Sequence, residues 1–218
     1  MNGKPSDLGL RARTGVLIVL GILGTIAAGP WTFSFFALAL WLIGSREAHA
    51  LIVQAGERER IGITSVLLSG LWAISMAGLW AIGWGNGAYT LWLPMGWFVL
   101  IWLNDTGAYL VGRKLGRHPL APRISPKKTW EGWFGGLLGS VMAALLLRLW
   151  MPIEAPWVLL AVVASVFGPL GDLAESALKR RAGAKDSGTI LPGHGGVLDR
   201  FDSHIFAAPI AAILLHFF

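Results

Sequence analysis

The chain has no cysteine in 218 residues. Disulfides, cysteine-bound zinc, iron–sulfur clusters and thiol nucleophiles are therefore excluded. Charge is scarce as well. Asp, Glu, Lys and Arg make up 14% of the residues, where an ordinary globular chain has about 25%. There is no phosphate-binding P-loop, no GxGxxG turn, no serine nucleophile elbow and no strand-like alternation. What is plentiful is apolar: 55% of the chain, with 29 Gly and 12 Trp. Membrane helices are enriched in Gly, and their ends in Trp. Disorder requires the opposite composition. The formal charge of +6 then reads as basic loops beside anionic headgroups and a phosphate-rich substrate, with no nucleic-acid partner.

The apolar segments divide the chain. Residues 14–45 carry no charge and are interrupted by Gly29-Pro30, a turn signal, which predicts two helices, 14–28 and 31–45. Further apolar segments cover 61–82, 88–112, 132–147, 157–171 and 204–218. The pattern predicts an all-α, polytopic membrane bundle of about seven spans, forming one domain over residues 1–218. Several segments are shorter than a hydrocarbon core of about 30 Å requires, so their ends are expected to extend into the flanking loops or the bilayer to thin. Nearly all Lys and Arg fall in 1–13, 46–60, 113–131 and 172–203, whereas the turns 29–30, 83–87 and 151–156 have none. That asymmetry predicts a cytoplasmic N-terminus, with the basic loop 113–131 and the polar block 172–203 on the cytoplasmic face. No secretory signal is recognisable at the start, because the apolar stretch there is too long.

The block 172–203 concentrates both signs of charge. Asp172, Glu175 and Lys179 have the i, i+3, i+7 spacing of one helix face, expected to continue the 157–171 helix. Asp199 and Asp202 flank Arg200. Hard carboxylate oxygens suit Mg²⁺, and no His–Cys set exists for zinc. Phosphoryl or nucleotidyl transfer needs such oxygens, together with Lys or Arg to offset charge on a leaving pyrophosphate. The same spacing also suits a surface pair network of little energetic weight. Gly193-His194-Gly195-Gly196 reads either as a linker or as backbone that approaches phosphate closely. His194 suits phosphate donation, proton transfer or a loop hydrogen bond. Asp105 is an ionisable residue within an apolar segment, a default functional candidate; the alternative is that Asn104 caps a helix start. Lys127 and Lys128 attract either an anionic headgroup or a triphosphate, or simply anchor the loop, with Trp130 and Trp133 as interfacial residues. Thr129 is placed to cap the following helix. The glycines of 132–136 and of 15–29 suit close helix packing.

From Ser176 to Asp202 the chain reads SALKRRAGAKDSGTILPGHGGVLDRFD. This stretch resembles the C-terminal signature of phosphatidate cytidylyltransferases, the CDP-diacylglycerol synthases. Residues 105–109, DTGAY, and 125–132, SPKKTWEG, resemble two further blocks of that family, and Arg13 to Glu47 resembles its opening helices more loosely. The resemblance implies transfer of a cytidylyl group from CTP to phosphatidic acid, with Mg²⁺ as cofactor and allowance for a second cation. It implies a multi-pass enzyme of the inner (plasma) membrane, surrounded by membrane lipids, homodimeric, with its active site facing the cytoplasm. Asp172 and Asp199 match the family's cation-binding aspartates. Lys179, Lys185, Asp186 and Asp202 match its catalytic residues. Asp105, Ser125, Lys127, Lys128, Ser176, Arg180, His194, Gly195, Gly196 and Arg200 fall among its substrate-binding positions. Three departures stand out: a shorter N-terminal half, Pro169 where the family usually has glutamine, and Ser187 where an aromatic residue is common. Two other readings compete: CTP-dependent transfer to a different lipid phosphate, such as an isoprenoid-ether phosphate, and a non-catalytic membrane paralogue.

Overall fold

The computed structural model describes residues 5–56, 61–85 and 87–218; Glu57, Arg58, Glu59 and Arg60 of the polar block and Asn86 of the third turn lie outside them. The protein is a bundle of α-helices. In chain order they are α1 (Pro5–Ala27), α2 (Pro30–Gln54), α3 (Ile61–Ile82), α4 (Trp92–Leu115), α5 (Trp130–Trp150), α6 (Trp157–Arg181), the short α7 (Leu198–Phe201) and α8 (His204–Leu215). Among the described residues, four of them, α2, α3, α5 and α6, are long and apolar enough to cross a membrane. The apolar parts of α1 and α8 are shorter.

Gly29 and Pro30 divide the first apolar run as expected. Gly29 has φ 112°, and Pro30 opens α2, where its missing N–H costs nothing. The short segments of α1, α2, α5 and α6 do extend into their flanking loops, whereas the predicted 204–218 segment is helical only over His204–Leu215. Helix α2 continues through Arg46 and Glu47 to Gln54, so the polar block begins as helix rather than loop. Its buried positions Phe33, Ala37, Leu40, Gly44, Glu47 and Leu51 keep helical spacing across that boundary. Helix α6 likewise carries Asp172, Glu175 and Lys179 on the extension of its apolar part.

One expectation is corrected. The basic loop contains a two-stranded antiparallel hairpin, β1 (Pro119–Ala121) and β2 (Ser125–Thr129), with Pro119 opposite Thr129 and Ala121 opposite Ser125. Strands this short, with β2 almost wholly polar, leave no alternating apolar signature. Local tethers define the hairpin instead. Glu131 accepts the backbone N–H groups of Arg117 and His118, and its other oxygen lies 2.5 Å from the His118 ring. Thr129 caps α5 by accepting the N–H of Gly132 at 3.1 Å.

The tightest seam joins α4 and α5. Gly132, Gly135, Gly136 and Gly139 share one face of α5 and meet Gly107, Gly112, Asn104 and Leu103 of α4. A Cβ on Gly135 would collide with Val111 and sit 2.8 Å from the Gly107 carbonyl oxygen. Gly21 and Gly24, by contrast, face open space, which corrects the expectation at those two positions, while Gly15 of the same run faces the His194 ring. Gly135→Leu is therefore expected to cost at least ~3 kcal/mol or to prevent folding, by overpacking a close helix crossing. Gly21→Leu is expected to leave thermal unfolding in detergent unchanged, and equal melting temperatures for the two variants would contradict the seam.

Pro169 lies within α6, which runs unbroken through it. A proline leaves the carbonyl four residues earlier, that of Ser165, without its helical donor. The Trp133 indole N–H supplies one at 2.8 Å. An orphaned carbonyl there would cost about 1–3 kcal/mol. The bond also fixes the indole between α5 and α6.

Candidate functional site

The polar ends of α4, α5 and α6, together with the hairpin, enclose a cavity of ≈ 290 Å³. Its polar lining includes Asp105, Lys127, Lys128 and Asp172, and its apolar lining includes Tyr109, Leu120, Trp133 and Pro169. Asn104 sits in the middle of α4 rather than at a helix start, so it is no cap. Lys128 forms an ion pair with Asp172 across the cavity, and the Ser176 hydroxyl donates to Asp172 at 3.2 Å. The cavity thus offers two cations and two carboxylates beside an apolar wall. That combination suits a molecule with a phosphate at one end and hydrocarbon at the other.

A second cluster lies beside it. Lys179 donates to Glu175 and to Asp199, at 2.6 Å each. Expected to face substrate phosphates, its ammonium is instead buried between two carboxylates. Asp199 places its other oxygen against the Ser187 N–H at 2.8 Å, the Ser187 hydroxyl at 2.9 Å and the Gly196 N–H at 2.8 Å. Burial alone would raise the Asp199 carboxyl, but the Lys179 ammonium and the two backbone N–H groups hold it below its ordinary range. Asp202 shows the opposite balance. Burial, and then the negative charges of Asp172, Glu175 and Asp105, push its carboxyl well above the ordinary range.

The remaining predicted residues are spread around these two clusters. Lys185 and Asp186 are exposed on the loop after α6, with Asp186 beside Gly195. Arg200 is exposed on α7. Ser125 pairs with Ala121 in the hairpin and does not line the cavity. Arg180 donates to the carbonyls of Ile124, at 3.4 Å, and Ala184, at 3.1 Å, tying the hairpin to α6 rather than facing the cavity. His194 packs against Gly15 of α1, and its buried Nδ1 has no partner. Gly195, at φ 82°, and Gly196 lie close to Asp199 and Ser187.

The donor set bears on the cation. Among the described residues, no three His, Asp or Glu side chains are grouped as a metal cage. Mg²⁺ commonly takes only one or two carboxylates and completes its shell with substrate phosphates and water. Asp172, at the cavity wall with Asp105 and Asp202 nearby, fits that role. Asp199 fits less well, because Lys179 engages one oxygen and three donors converge on the other.

Reading the sequence alone missed Glu47. It is buried on α2 and accepts hydrogen bonds from Val197, Leu198 and Ser187. The available signal was its spacing, three residues after Gly44 and four before Leu51, on the buried stripe of α2.

Comparison with known proteins adds an independent line. The cytidylyltransferase family matches residues 82–218. Phosphatidate cytidylyltransferase of Staphylococcus epidermidis is 54% identical over 121 residues, covering 54% of this chain and 46% of that protein. Proteins of the same name from Staphylococcus saprophyticus and Staphylococcus aureus are each 53% identical over 121 residues, with the same coverage. The chain thus spans about half the length of the curated relatives it matches.

Proposed function

This chain belongs to the cytidylyltransferase family, and from that membership we propose that it transfers the cytidylyl group of CTP to phosphatidic acid, releasing pyrophosphate and leaving CDP-diacylglycerol. The observation that carries the reading is the cavity in which the Lys128–Asp172 pair faces an apolar wall of Tyr109, Trp133 and Pro169.

A phosphate oxygen of the lipid attacks the α-phosphorus of CTP. The bond from that phosphorus to the bridging β-oxygen breaks, and pyrophosphate departs. No strong base is required, since a phosphate monoester is already largely ionised near neutral pH. Lys127 and Lys128 draw phosphate oxygens into the cavity, and the exposed Lys185 and Arg200 offset charge on the departing group. Lys179 acts indirectly, by holding Asp199 and the loop attached to it. When bound at Asp172, a divalent cation supplies charge neutralisation across the triphosphate.

In this reading the acyl chains stay in lipid beside Trp133 and Pro169. The protein is a multi-pass membrane protein of about seven spans with its N-terminus, the hairpin and the loop 182–197 on the cytoplasmic side. The inner (plasma) membrane and a homodimeric state belong to the same reading.

The test is product formation by detergent-purified protein given Mg²⁺, phosphatidic acid and CTP labelled in the cytosine ring. Label is expected in the organic phase, and ATP, GTP and UTP are expected to compete poorly. Folded protein that labels no lipid would overturn the proposal, and label appearing only with another lipid phosphate would redirect it to that acceptor.

A further inference from the structure

Glu47 lies outside the residues that match the family, and nothing in the proposed mechanism uses it. It is nevertheless heavily engaged, with both carboxylate oxygens accepting hydrogen bonds. Its side chain is buried near the end of an apolar helix, where an unpartnered carboxylate is costly. No ion pair neutralises it among the described residues; its hydrogen bonds come from one distant loop. Oε1 accepts the Val197 N–H at 3.1 Å, and Oε2 accepts the Leu198 N–H at 2.8 Å and the Ser187 hydroxyl at 3.2 Å. A second observation agrees. A Cβ on Gly188 would lie 2.5 Å from Oε1 of Glu47, and one on Gly196 would lie 2.5 Å from Oε2. The loop therefore approaches this carboxylate through two glycines, one on each side of the turn.

We infer that Glu47 is a positioning residue, which clamps the loop 187–198 onto α2 and thereby sets the placement of Asp199 and Lys179. The connection is continuous. The Ser187 hydroxyl lies within bonding distance of both Glu47 and Asp199, and the Ser187 and Gly196 N–H groups hold Asp199. Asp199 in turn holds Lys179. Ser187 is the residue at which the two carboxylates meet. Glu47 touches no reacting atom and acts through this loop alone.

The inference rests on the proposed cytidylyl transfer only for its activity readout, so the experiment pairs kinetics with amide hydrogen exchange. Glu47→Gln keeps the size of the side chain but turns an N–H group toward N–H donors. Loss of charge-assisted bonds to the loop predicts a kcat lower by ~10–100-fold per folded molecule, with KM for CTP and for the lipid within about threefold. Exchange at the Val197 and Leu198 amides is expected to accelerate by at least ~10-fold, as local opening becomes easier. Glu47→Asp, one methylene shorter, is expected to recover part of the kcat, and Gly188→Ala, whose Cβ would meet only Glu47 atoms, to reproduce the Gln phenotype by pushing the carboxylate away. His49→Ala, further along the same helix, is expected to leave kcat unchanged. An unchanged kcat in Glu47→Gln would overturn the inference. So would a loss of activity that only parallels loss of folded protein, with exchange at the two amides unaltered. If wild-type protein makes no product, the functional proposal fails, while the exchange data still decide whether the clamp exists.

Discussion

Replacing Lys179 with methionine is expected to destabilise the protein by about 3–5 kcal/mol, the range measured when one partner of a buried ion pair is removed. It is also expected to reduce product formation by ~10²-fold, the cost of misplacing reacting groups by about 1 Å. Both effects have the same origin. The Glu175 side chain is wholly inaccessible and the Asp199 side chain is 4% exposed. Oε1 of Glu175 has no partner, so Lys179 supplies that side chain's ion pair and hydrogen bond. Without the ammonium, two carboxylates share a space of low dielectric with nothing between them. Asp199 keeps its bonds to Ser187 and Gly196, but the loop loses its link to α6. The double variant Lys179→Met/Glu175→Leu separates the contributions, because an apolar pair of similar volume often matches or exceeds a buried ion pair in stability. The melting temperature in detergent is expected to recover in the double variant, and the activity is not. A single variant that melts like wild type would show that the two carboxylates do not depend on this lysine.

The helical bundle was legible because its cause is local. Uncharged runs bounded by Gly, Pro and charged residues define membrane helices in any order of packing, and Gly29-Pro30 marked the first turn directly. The one-face spacing of Asp172, Glu175 and Lys179 was equally readable, since helical periodicity needs no tertiary information. What escaped was whatever depends on a partner far along the chain. Glu47 looked like the polar end of a span because Arg46 and Glu47 interrupt the apolar run. Its reason for being buried lies 140 to 151 residues away, in Ser187, Val197 and Leu198. Lys179 resembled a phosphate ligand because a charge in a signature says nothing about which way it turns. The hairpin was invisible because its tether is Glu131, beyond the second strand, rather than any pattern within the strands. Pro169 stood out as a departure from the pattern that the chain resembles. The sequence did not show that Trp133, on a different helix, donates to the carbonyl that the proline leaves free.

Asp172→Asn is expected to separate activity from stability, in the opposite sense to the lysine variant. Asp172 lines the cavity and pairs with Lys128, but that pair is partly exposed, so its loss is expected to cost no more than about 1 kcal/mol. There is a compensating gain. The Asp172 charge is one of those that push the Asp202 carboxyl upward, and an amide removes that repulsion. The melting temperature is therefore expected to stay within about 4 °C of wild type, while lipid labelling falls by ~10²–10³-fold through loss of an electrostatic contact made to the reacting phosphates. A second readout does not depend on turnover. Binding of Mg²⁺ with CTP to the folded state raises the melting temperature by mass action, and this rise is expected in the wild type and not in Asp172→Asn. Active Asp172→Asn protein would remove the aspartate from the proposed reaction. Inactive but equally stable protein that still responds to Mg²⁺ and CTP would keep it at the site and move the cation to other carboxylates, with Asp105 and Asp202 the next to replace. Together the two variants distinguish a group that builds the site from one that meets the substrate: loss of the first weakens fold and turnover together, and loss of the second weakens turnover alone.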